Sequence, residues 1–221
     1  MRESVETLRC VYCKIPVVAK SSCSEDLIIC DLCKSKHTWD LIDDYCLSSA
    51  SVDPVEMAEV LMKSPGFQMH CPDHHYLVPA VLLASYSKKT RKTKKLEGWL
   101  KIARNRAEKV PGAFCGTHGS CGAAVGTGIF MSTVLGATPL SSIEWDLCNT
   151  IVGRSLLSMA SYGGPRCCKR VTYLSLQEAG KFLRERLSVQ FEISEKIECK
   201  FHIGNKEHCL KDKCPFYLNV N

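Results

Sequence analysis

The sequence predicts a mainly α-helical protein with small β parts, in which cysteine thiols bind metal ions. Two observations predict this class. Capping residues, prolines and glycines delimit a series of helical segments over most of the chain, and fifteen cysteines with seven histidines in 221 residues supply metal ligands. The hydrophobic share of 45% and the charged share of 24% exclude a disordered chain and a collagen-like repeat.

The chain divides into a cysteine-rich, zinc-ribbon-like segment at residues 1–50 and a helical domain at residues 51–221. In the first part, short apolar runs flank paired cysteines and predict small hairpins folded around metal. The second part contains six predicted helices, then a short C-terminal hairpin and a cysteine loop. The helices are predicted at 54–64, 73–87, 96–109, 121–135, 141–162 and 174–187, and the hairpin strands at 189–193 and 197–203.

Particular residues predict where several helices begin. Asp53 before Pro54 is an N-cap followed by proline at the first helical position. Asp73 is a candidate cap for the next helix, and Ser141 with Glu144 three residues later is a capping box. The fourth predicted helix is rich in glycine and carries no charge, so we expect it to be buried.

Two Cys-x-x-Cys knuckles near the N-terminus are the strongest chemical signal. Four thiolates at this spacing can close a tetrahedron around zinc. They belong to Cys10, Cys13, Cys30 and Cys33. Cys23 and His37 are alternative ligands for this site or for a second one. A closed four-ligand site leaves no open coordination position, so a structural zinc is expected.

A second constellation lies between His70 and His75. If Asp73 caps the following helix, Cys71, His74 and His75 gather on its first turn, where the helix dipole favours a thiolate. Each residue alone is more often a satisfied polar group. Four potential ligands in six residues indicate contact with a metal or a cofactor.

Two further motifs place cysteines beside glycines and basic residues, which allow close backbone approach and stabilise thiolates. The motifs contain Cys115, His118, Gly119, Cys121 and Gly122, and Arg166, Cys167, Cys168, Lys169 and Arg170. We expect the cysteines to converge on an iron–sulfur cluster and to carry the chemistry, with one of Cys167 and Cys168 as a ligand. His118 is an occasional ligand or a donor to a sulfur. Alternatively, these cysteines only pack helices, as Cys148 is expected to do.

Three cysteines near the C-terminus, Cys199, Cys209 and Cys214, either complete that central site or form a separate one. We favour the separate site, because the three lie on their own terminal loop. Sulfurs that share one metal lie about 4 Å apart, and those of a four-iron cluster lie roughly 6 to 7 Å apart.

Charge is concentrated between Tyr86 and Val110, where ten basic residues face Glu97 and Glu108. A basic loop and helix of this kind can bind tRNA, an anionic cofactor or an acidic protein. The alternative is a solvated linker and helix face. No aromatic residue interleaves the run 88–95 to stack on bases, which favours this alternative.

An uncharged stretch between Val110 and Glu144 raises the question of a membrane span. Its glycines and Pro139 leave an apolar part of about 15 residues, which is short for a bilayer, so no membrane is expected. The odd cysteine count and the polar N-terminus argue against a secreted disulfide scaffold. A reducing cytoplasm is the expected compartment.

These motifs resemble those of a cysteine-rich family of unknown function, DUF5714. The resemblance rests on residues 71–79, 115–128 and 163–170 and on the three terminal cysteines, and it spans nearly the whole chain. It implies an origin in anaerobic bacteria or methanogenic archaea and, in some members, a joined methyltransferase-like domain. It supplies no settled activity.

The sequence therefore predicts a cytoplasmic protein that holds zinc, together with a 4Fe–4S cluster or another thiophilic metal, and takes part in redox or sulfur-handling chemistry. The expected partner is an unidentified small molecule, a redox protein or a methyltransferase. The competing hypothesis is a non-enzymatic, zinc-stabilised adaptor that binds nucleic acid or an acidic partner through residues 88–109.

Overall fold

A computed structural model describes residues 6–19, 28–30, 33, 36–194, 196–206 and 208–218. This part of the chain is mainly helical and holds a single two-stranded antiparallel sheet, formed by β1 and β2. The elements are β1 Glu6–Arg9, β2 Pro16–Ala19, α1 Thr38–Ser48, α2 Pro54–Met62, α3 Asp73–Lys89, α4 Leu96–Ala107, α5 Phe114–Thr117, α6 Gly122–Leu135, α7 Ile143–Ala160 and α8 Cys168–Leu187. Short 3-10 turns occupy Thr93–Lys95, His202–Asn205 and Lys211–Lys213. The predicted fold class is confirmed.

The described part of residues 1–50 contains the β1–β2 hairpin and helix α1, whereas the sequence predicted hairpins up to Cys46. In the hairpin, Leu8 pairs with Val17. Helix α1 was missed because its N-cap is a histidine: His37 Nδ1 accepts a hydrogen bond from the backbone N–H of Trp39 at 3.3 Å. Histidine is not among the usual capping residues, so the start signal was absent.

Helix α3 lies at the centre of the helical part, in contact with α1, α2, α4, α6 and α8. Most of its side chains are buried around the whole circumference, as expected for a helix that neighbours cover on all sides. Asp73 is its first residue and Pro72 its N-cap, so the predicted cap is wrong. The Asp73 carboxylate instead accepts a hydrogen bond from Trp39 Nε1 at 2.6 Å, which joins α3 to α1.

The glycine-rich helix α6 packs tightly between α3 and α7, and it is buried as predicted. A Cβ atom at Gly126 would lie 2.9 Å from Pro79 Cδ on α3. A Cβ atom at Gly128 would lie 2.5 Å from Val152 Cγ2 on α7. The glycines therefore set how closely the three helices approach.

Two helix starts differ from the sequence prediction. Helix α7 begins at Ile143, and Ser142 makes no side-chain capping bond within the described residues. Ser141 is not part of a capping box, because its hydroxyl accepts a hydrogen bond from the backbone N–H of Thr138 at 3.0 Å. Helix α8 begins at Cys168, six residues before the predicted start. The earlier start was missed because its N-cap, Cys167, makes no side-chain capping bond within the described residues.

The predicted C-terminal hairpin is not formed: described residues 188–194 and 196–206 contain no strand. Their apolar side chains pack onto helices instead. Phe191 and Ile197 belong to the hydrophobic core, and Ile193 contacts α8 where Gly180 leaves space for it. The backbone N–H of Cys199 donates to the carbonyl of Phe216 at 2.7 Å, which closes the terminal loop.

The hydrophobic core extends from the N-terminal segment into the helices. Cys10 and Tyr12 are fully buried in the same cluster as α3, and the Tyr12 hydroxyl donates to the carbonyl of Val60 at 3.3 Å. No helix within the described ranges has the length and hydropathy needed to cross a membrane.

Candidate metal centres

The four predicted zinc ligands converge at the N-terminus. The sulfurs of Cys10, Cys13, Cys30 and Cys33 all lie within 4.8 Å of one another, and Cys13 Sγ is 3.6 Å from Cys30 Sγ. Zinc–sulfur bonds of about 2.3 Å in a tetrahedron place the sulfurs about 3.8 Å apart. The structure thus brings together four thiols that can bind a metal ion.

Backbone amides make one of these thiols acidic. Burial alone would raise the pKa of Cys10, but hydrogen bonds from the backbone N–H groups of Cys13, Cys30 and Tyr12 lower that pKa to about 6. Burial and the neighbouring thiols raise the pKa of Cys33. A bound cation would remove the remaining protons, since only thiolates ligate well.

The alternative ligands of this site have different positions. His37 caps α1 and is not among the ligand atoms that lie within 4.8 Å of one another. Cys23 lies outside the described residues.

A central cavity of about 240 Å³ collects the cysteines of three predicted motifs. Cys71 precedes α3, Cys115 lies in α5, Cys121 is the N-cap of α6 and Cys168 is the first residue of α8. A second cavity of about 300 Å³ shares Cys115, Cys121 and Cys168 and continues along α7 towards Gly163. These cysteines line one cavity, and the member from the later motif is Cys168 rather than Cys167.

Burial raises the pKa of two thiols of this central cavity, those of Cys121 and Cys168. Burial raises the pKa of Cys121, although the backbone N–H groups of Ala123 and Ala124 donate to its sulfur and lower it. Burial raises the pKa of Cys168 to about 11, against an opposing hydrogen bond from the backbone of Cys71. These thiols become thiolates when a metal supplies positive charge.

The two histidines of the second constellation have different surroundings. His75 Nδ1 donates to the carbonyl of Val110 at 3.2 Å, so the neutral ring keeps Nε2 as its acceptor. This ring packs against Gly122, where a Cβ atom would lie 2.3 Å from Nε2. His74 is buried, and its Nδ1 donates to the carbonyl of Cys71 at 3.0 Å. His75 has the second-nitrogen bond that is typical of metal-binding histidines.

Lys169 places a buried positive charge beside the cysteines. Its side chain is fully buried, with Nζ 4.5 Å from the ring centre of Phe67 and 4.9 Å from that of Phe201. Its hydrogen bond is a long one, 3.4 Å to the carbonyl of Gln68. No carboxylate in the described ranges lies within 4.0 Å of it. Burial lowers the pKa of Lys169 to about 8, whereas the thiols of Cys71 and its neighbours act to raise it.

The other predicted cofactor-binding residues lie around the cavity. Arg166 lines both parts of it, and Gly119 lines the outer part. Gly122 provides the space for His75. His118 is the exception, because it does not line the cavity. Its ring stacks on Phe114 with centroids 4.2 Å apart, and its Nδ1 lies 2.8 Å from the Thr117 hydroxyl.

The four remaining cysteines of the motifs form a separate group. Cys167 lies with Cys199, Cys209 and Cys214 around another cavity. The sequence analysis missed that Cys167 belongs to it. Cys167 is the extended N-cap of α8, and Cys168 is its first helical residue. A helix predicted to begin between these two adjacent cysteines would have indicated that their side chains face different cavities.

The basic segment is partly engaged within the molecule. Lys88 donates to the carbonyl of Ser51 at 2.6 Å, and Arg104 forms ion pairs with Asp40 and Asp43. Lys89 pairs with Glu192, and Arg106 donates to hydroxyls on α6. The exposed cations that remain are Arg91, Lys92, Lys94, Lys95, Lys101 and Lys109.

Fold and site define a helical, cysteine-rich protein with a preformed four-thiol site for a metal ion. The chain belongs to a family of unknown function, DUF5714, whose model matches residues 42–217. No curated protein and no solved structure matches it. The family assignment therefore adds no activity to the geometry.

Proposed function

We propose that this protein takes part in redox or sulfur-handling chemistry through an iron–sulfur cluster held in the central cavity by Cys115, Cys121, Cys168 and Cys71. The observation that carries the proposal is the convergence of these four thiols, from separate segments, on one cavity. The N-terminal four-thiol site holds a zinc ion that stabilises the fold.

The spacing of the central thiols favours a cluster over a single ion. Within the described ranges, only the N-terminal cysteines bring three or more ligand atoms within 4.8 Å of one another. The central thiols are therefore too widely spread for one preformed tetrahedral ion, whereas a four-iron cluster needs sulfurs roughly 6 to 7 Å apart.

The charges around the cavity match a negatively charged cluster. None of the described residues that line it is an Asp or Glu, and hard oxygen-preferring ions therefore lack ligands there. Arg166 lines the cavity and Lys169 is buried next to Cys168. Both cations would offset the charge of four thiolates, which raises the reduction potential of a cluster.

The open part of the cavity gives this centre room for a reaction partner. It continues past Cys115 and Cys168 to Leu156, Met159 and Gly163. If an iron–sulfur cluster is bound, Cys71, Cys115, Cys121 and Cys168 would hold it, and it would supply one-electron transfer chemistry beside this open space. Arg166 lines this space and supplies a positive charge for an anionic acceptor.

Anaerobic purification followed by iron, acid-labile sulfide and zinc analysis tests the proposal. The double variant Cys121→Ser/Cys168→Ser should lose the iron and sulfide of the central site. The matched control is Cys148→Ser on α7, which alters a half-buried cysteine outside both cavities and should leave the metal content unchanged. Wild-type protein without iron and sulfide after anaerobic reconstitution would refute the proposal.

A further inference from the structure

A second group of four cysteines lies on the other side of the Cys167–Cys168 peptide. All four line one small cavity between the start of α8 and the C-terminal loop, and they are Cys167, Cys199, Cys209 and Cys214. Three come from the terminal loop, and Cys167 comes from the N-cap of α8. The cavity walls include the aromatic rings of Tyr173 and Phe216, so the group lies in a largely apolar setting.

Backbone hydrogen bonds hold the loop cysteines in place. The N–H of Cys199 donates to Phe216 at 2.7 Å, that of Cys209 to Asn205 at 2.8 Å and that of Cys214 to Lys211 at 2.7 Å. The backbone N–H of Phe201 lies 3.4 Å from Cys199 Sγ. The terminal loop is therefore organised around its sulfurs without a strand or a long helix.

Two buried donors at this cavity have no acceptor among the described residues. Arg170 and Asn205 both line it and are both more than nine-tenths buried. The Nε atom of Arg170 and the Nδ2 atom of Asn205 have no hydrogen-bond partner there. An unsatisfied buried donor is costly and calls for an explanation. Anionic sulfur in the cavity would supply acceptors for both.

The charged residues around this cavity also favour an anionic occupant. No Asp or Glu of the described chain lines the cavity. Arg170 Nη2 donates to the carbonyls of Gly163 and Pro165, at 2.9 and 2.8 Å, which leaves its positive charge without a carboxylate. Lys169, which precedes Arg170 in the sequence, also has no carboxylate partner in the described ranges. Thiolates bound to a metal are the anions that this region can provide.

We propose that Cys167, Cys199, Cys209 and Cys214 bind a second iron–sulfur cluster, enclosed by the terminal loop and separate from the central one. No three of these four sulfurs all lie within 4.8 Å of one another, unlike the sulfurs of the N-terminal site. The group is therefore wider than a site for a single ion and suits a four-iron cluster. Each thiol releases its proton to solvent when its sulfur binds iron. The Nε–H of Arg170 and the Nδ2–H of Asn205 donate to cluster or cysteine sulfur.

Adjacent cysteines distribute between the two centres because the backbone changes direction there. Cys167 is extended, with φ −141° and ψ 104°, whereas Cys168 starts the helix. Each cysteine therefore lines a different cavity. The second centre does not depend on the first, because the two share no ligand.

Metal counting on anaerobically reconstituted protein tests the second centre. We expect about eight irons per wild-type chain and about four in each of two double variants, Cys199→Ser/Cys214→Ser and Cys121→Ser/Cys168→Ser. Cys148→Ser is the matched control and should retain all of the iron. About four irons in the wild type, lost in the central variant and kept in the terminal one, would overturn the second centre and leave the central one standing. Loss of iron only in the terminal variant would do the reverse.

Alkylation of the wild-type protein provides a test that requires no substitution. Iodoacetamide should label Cys199, Cys209 and Cys214 more slowly in the reconstituted protein than in protein stripped of metal by a chelator. Cys148 is the internal reference, and its labelling rate should be the same in both. Equal labelling of the terminal cysteines in the two states would overturn the proposal, and so would a second zinc in place of iron.

Discussion

Cys30 has two roles in the N-terminal site: its thiol is one of the four candidate ligands, and its backbone N–H donates a hydrogen bond to Cys10 Sγ at 3.4 Å. Cys30→Ser removes one ligand of a site whose binding energy supports folding. We expect the zinc content to fall by about one ion per chain and the N-terminal segment to become sensitive to protease, while far-UV circular dichroism keeps most of its helical signal. Stoichiometric zinc retained in the variant would remove these four cysteines as the ligand set.

Lys169 offers a test of the charge argument, since its replacement acts oppositely on the two forms of the protein. In metal-free protein, Lys169→Met removes a buried, unpaired charge and should raise the free energy of unfolding by roughly 1 to 3 kcal/mol. In reconstituted protein, the same change removes the cation that offsets cluster charge, so the reduction potential should fall. Urea denaturation and potentiometric titration measure the two effects.

The control for Lys169 is Lys101→Met on the exposed side of α4, which should change neither quantity. An unchanged potential in Lys169→Met would show that the buried lysine does not act on a cluster. A higher potential would contradict the sign of the argument.

At the scale of elements, the close packing of α6 depends on glycine. A Cβ atom at Gly126 would lie 3.2 Å from the carbonyl oxygen of His75 and 2.9 Å from Pro79 Cδ, and backbone and a proline ring yield little. Gly126→Ala should therefore lower the free energy of unfolding by about 1 to 3 kcal/mol. Gly153→Ala on α7 meets no atom within 4 Å and should raise it by up to about 1 kcal/mol through helix propensity.

Thermal and urea denaturation of both variants decide this point. If Gly126→Ala leaves the free energy of unfolding unchanged, α3 and α6 can move apart at no cost. The close packing of these helices would then not fix the spacing of Cys71 and Cys121 around the cavity.

The same elements show what local signals can predict. The Asp53–Pro54 start of α2 was predicted correctly, because cap and proline act within a few residues: Asp53 Oδ1 accepts from the N–H of Val55 at 2.7 Å. Helix α1 and the start of α8 were missed because tertiary packing, rather than a usual cap, defines them. The predicted terminal hairpin was wrong because alternating apolar residues can also pack a loop against a helix, here α8, without forming strands.

For the candidate sites, sequence spacing was sufficient only where ligands are close along the chain. The Cys-x-x-Cys pairs identified the N-terminal site directly. The sorting of Cys167 and Cys168 into different cavities depends on the backbone turn at the start of α8, and no spacing rule gives it. The unpaired donors of Arg170 and Asn205 became visible only with the fold.

At the scale of the whole molecule, the exposed cations of the basic segment remain a surface for a polyanion. They are the six exposed side chains named above, between Arg91 and Lys109, which have no carboxylate partner among the described residues. If they contact about six phosphates, the affinity for tRNA should fall about 10³-fold between 50 and 200 mM salt. Lys94→Glu/Lys95→Glu should weaken binding, and Lys213→Glu on the C-terminal loop is the control. Fluorescence anisotropy without binding at low salt would remove nucleic acid as a partner.

The start of α8 links the two proposed clusters into one redox unit. Neighbouring Cα atoms are about 3.8 Å apart, so clusters that take Cys167 and Cys168 as ligands lie on the order of 10 Å from each other. After reduction with dithionite, two paramagnetic clusters at this separation should interact magnetically. We expect the electron paramagnetic resonance spectrum of the wild type, and that of Cys148→Ser, to be broader than the sum of the spectra of the two single-cluster variants. A wild-type spectrum equal to that sum would contradict a separation on the order of 10 Å between the two clusters, because the magnetic interaction falls steeply with distance.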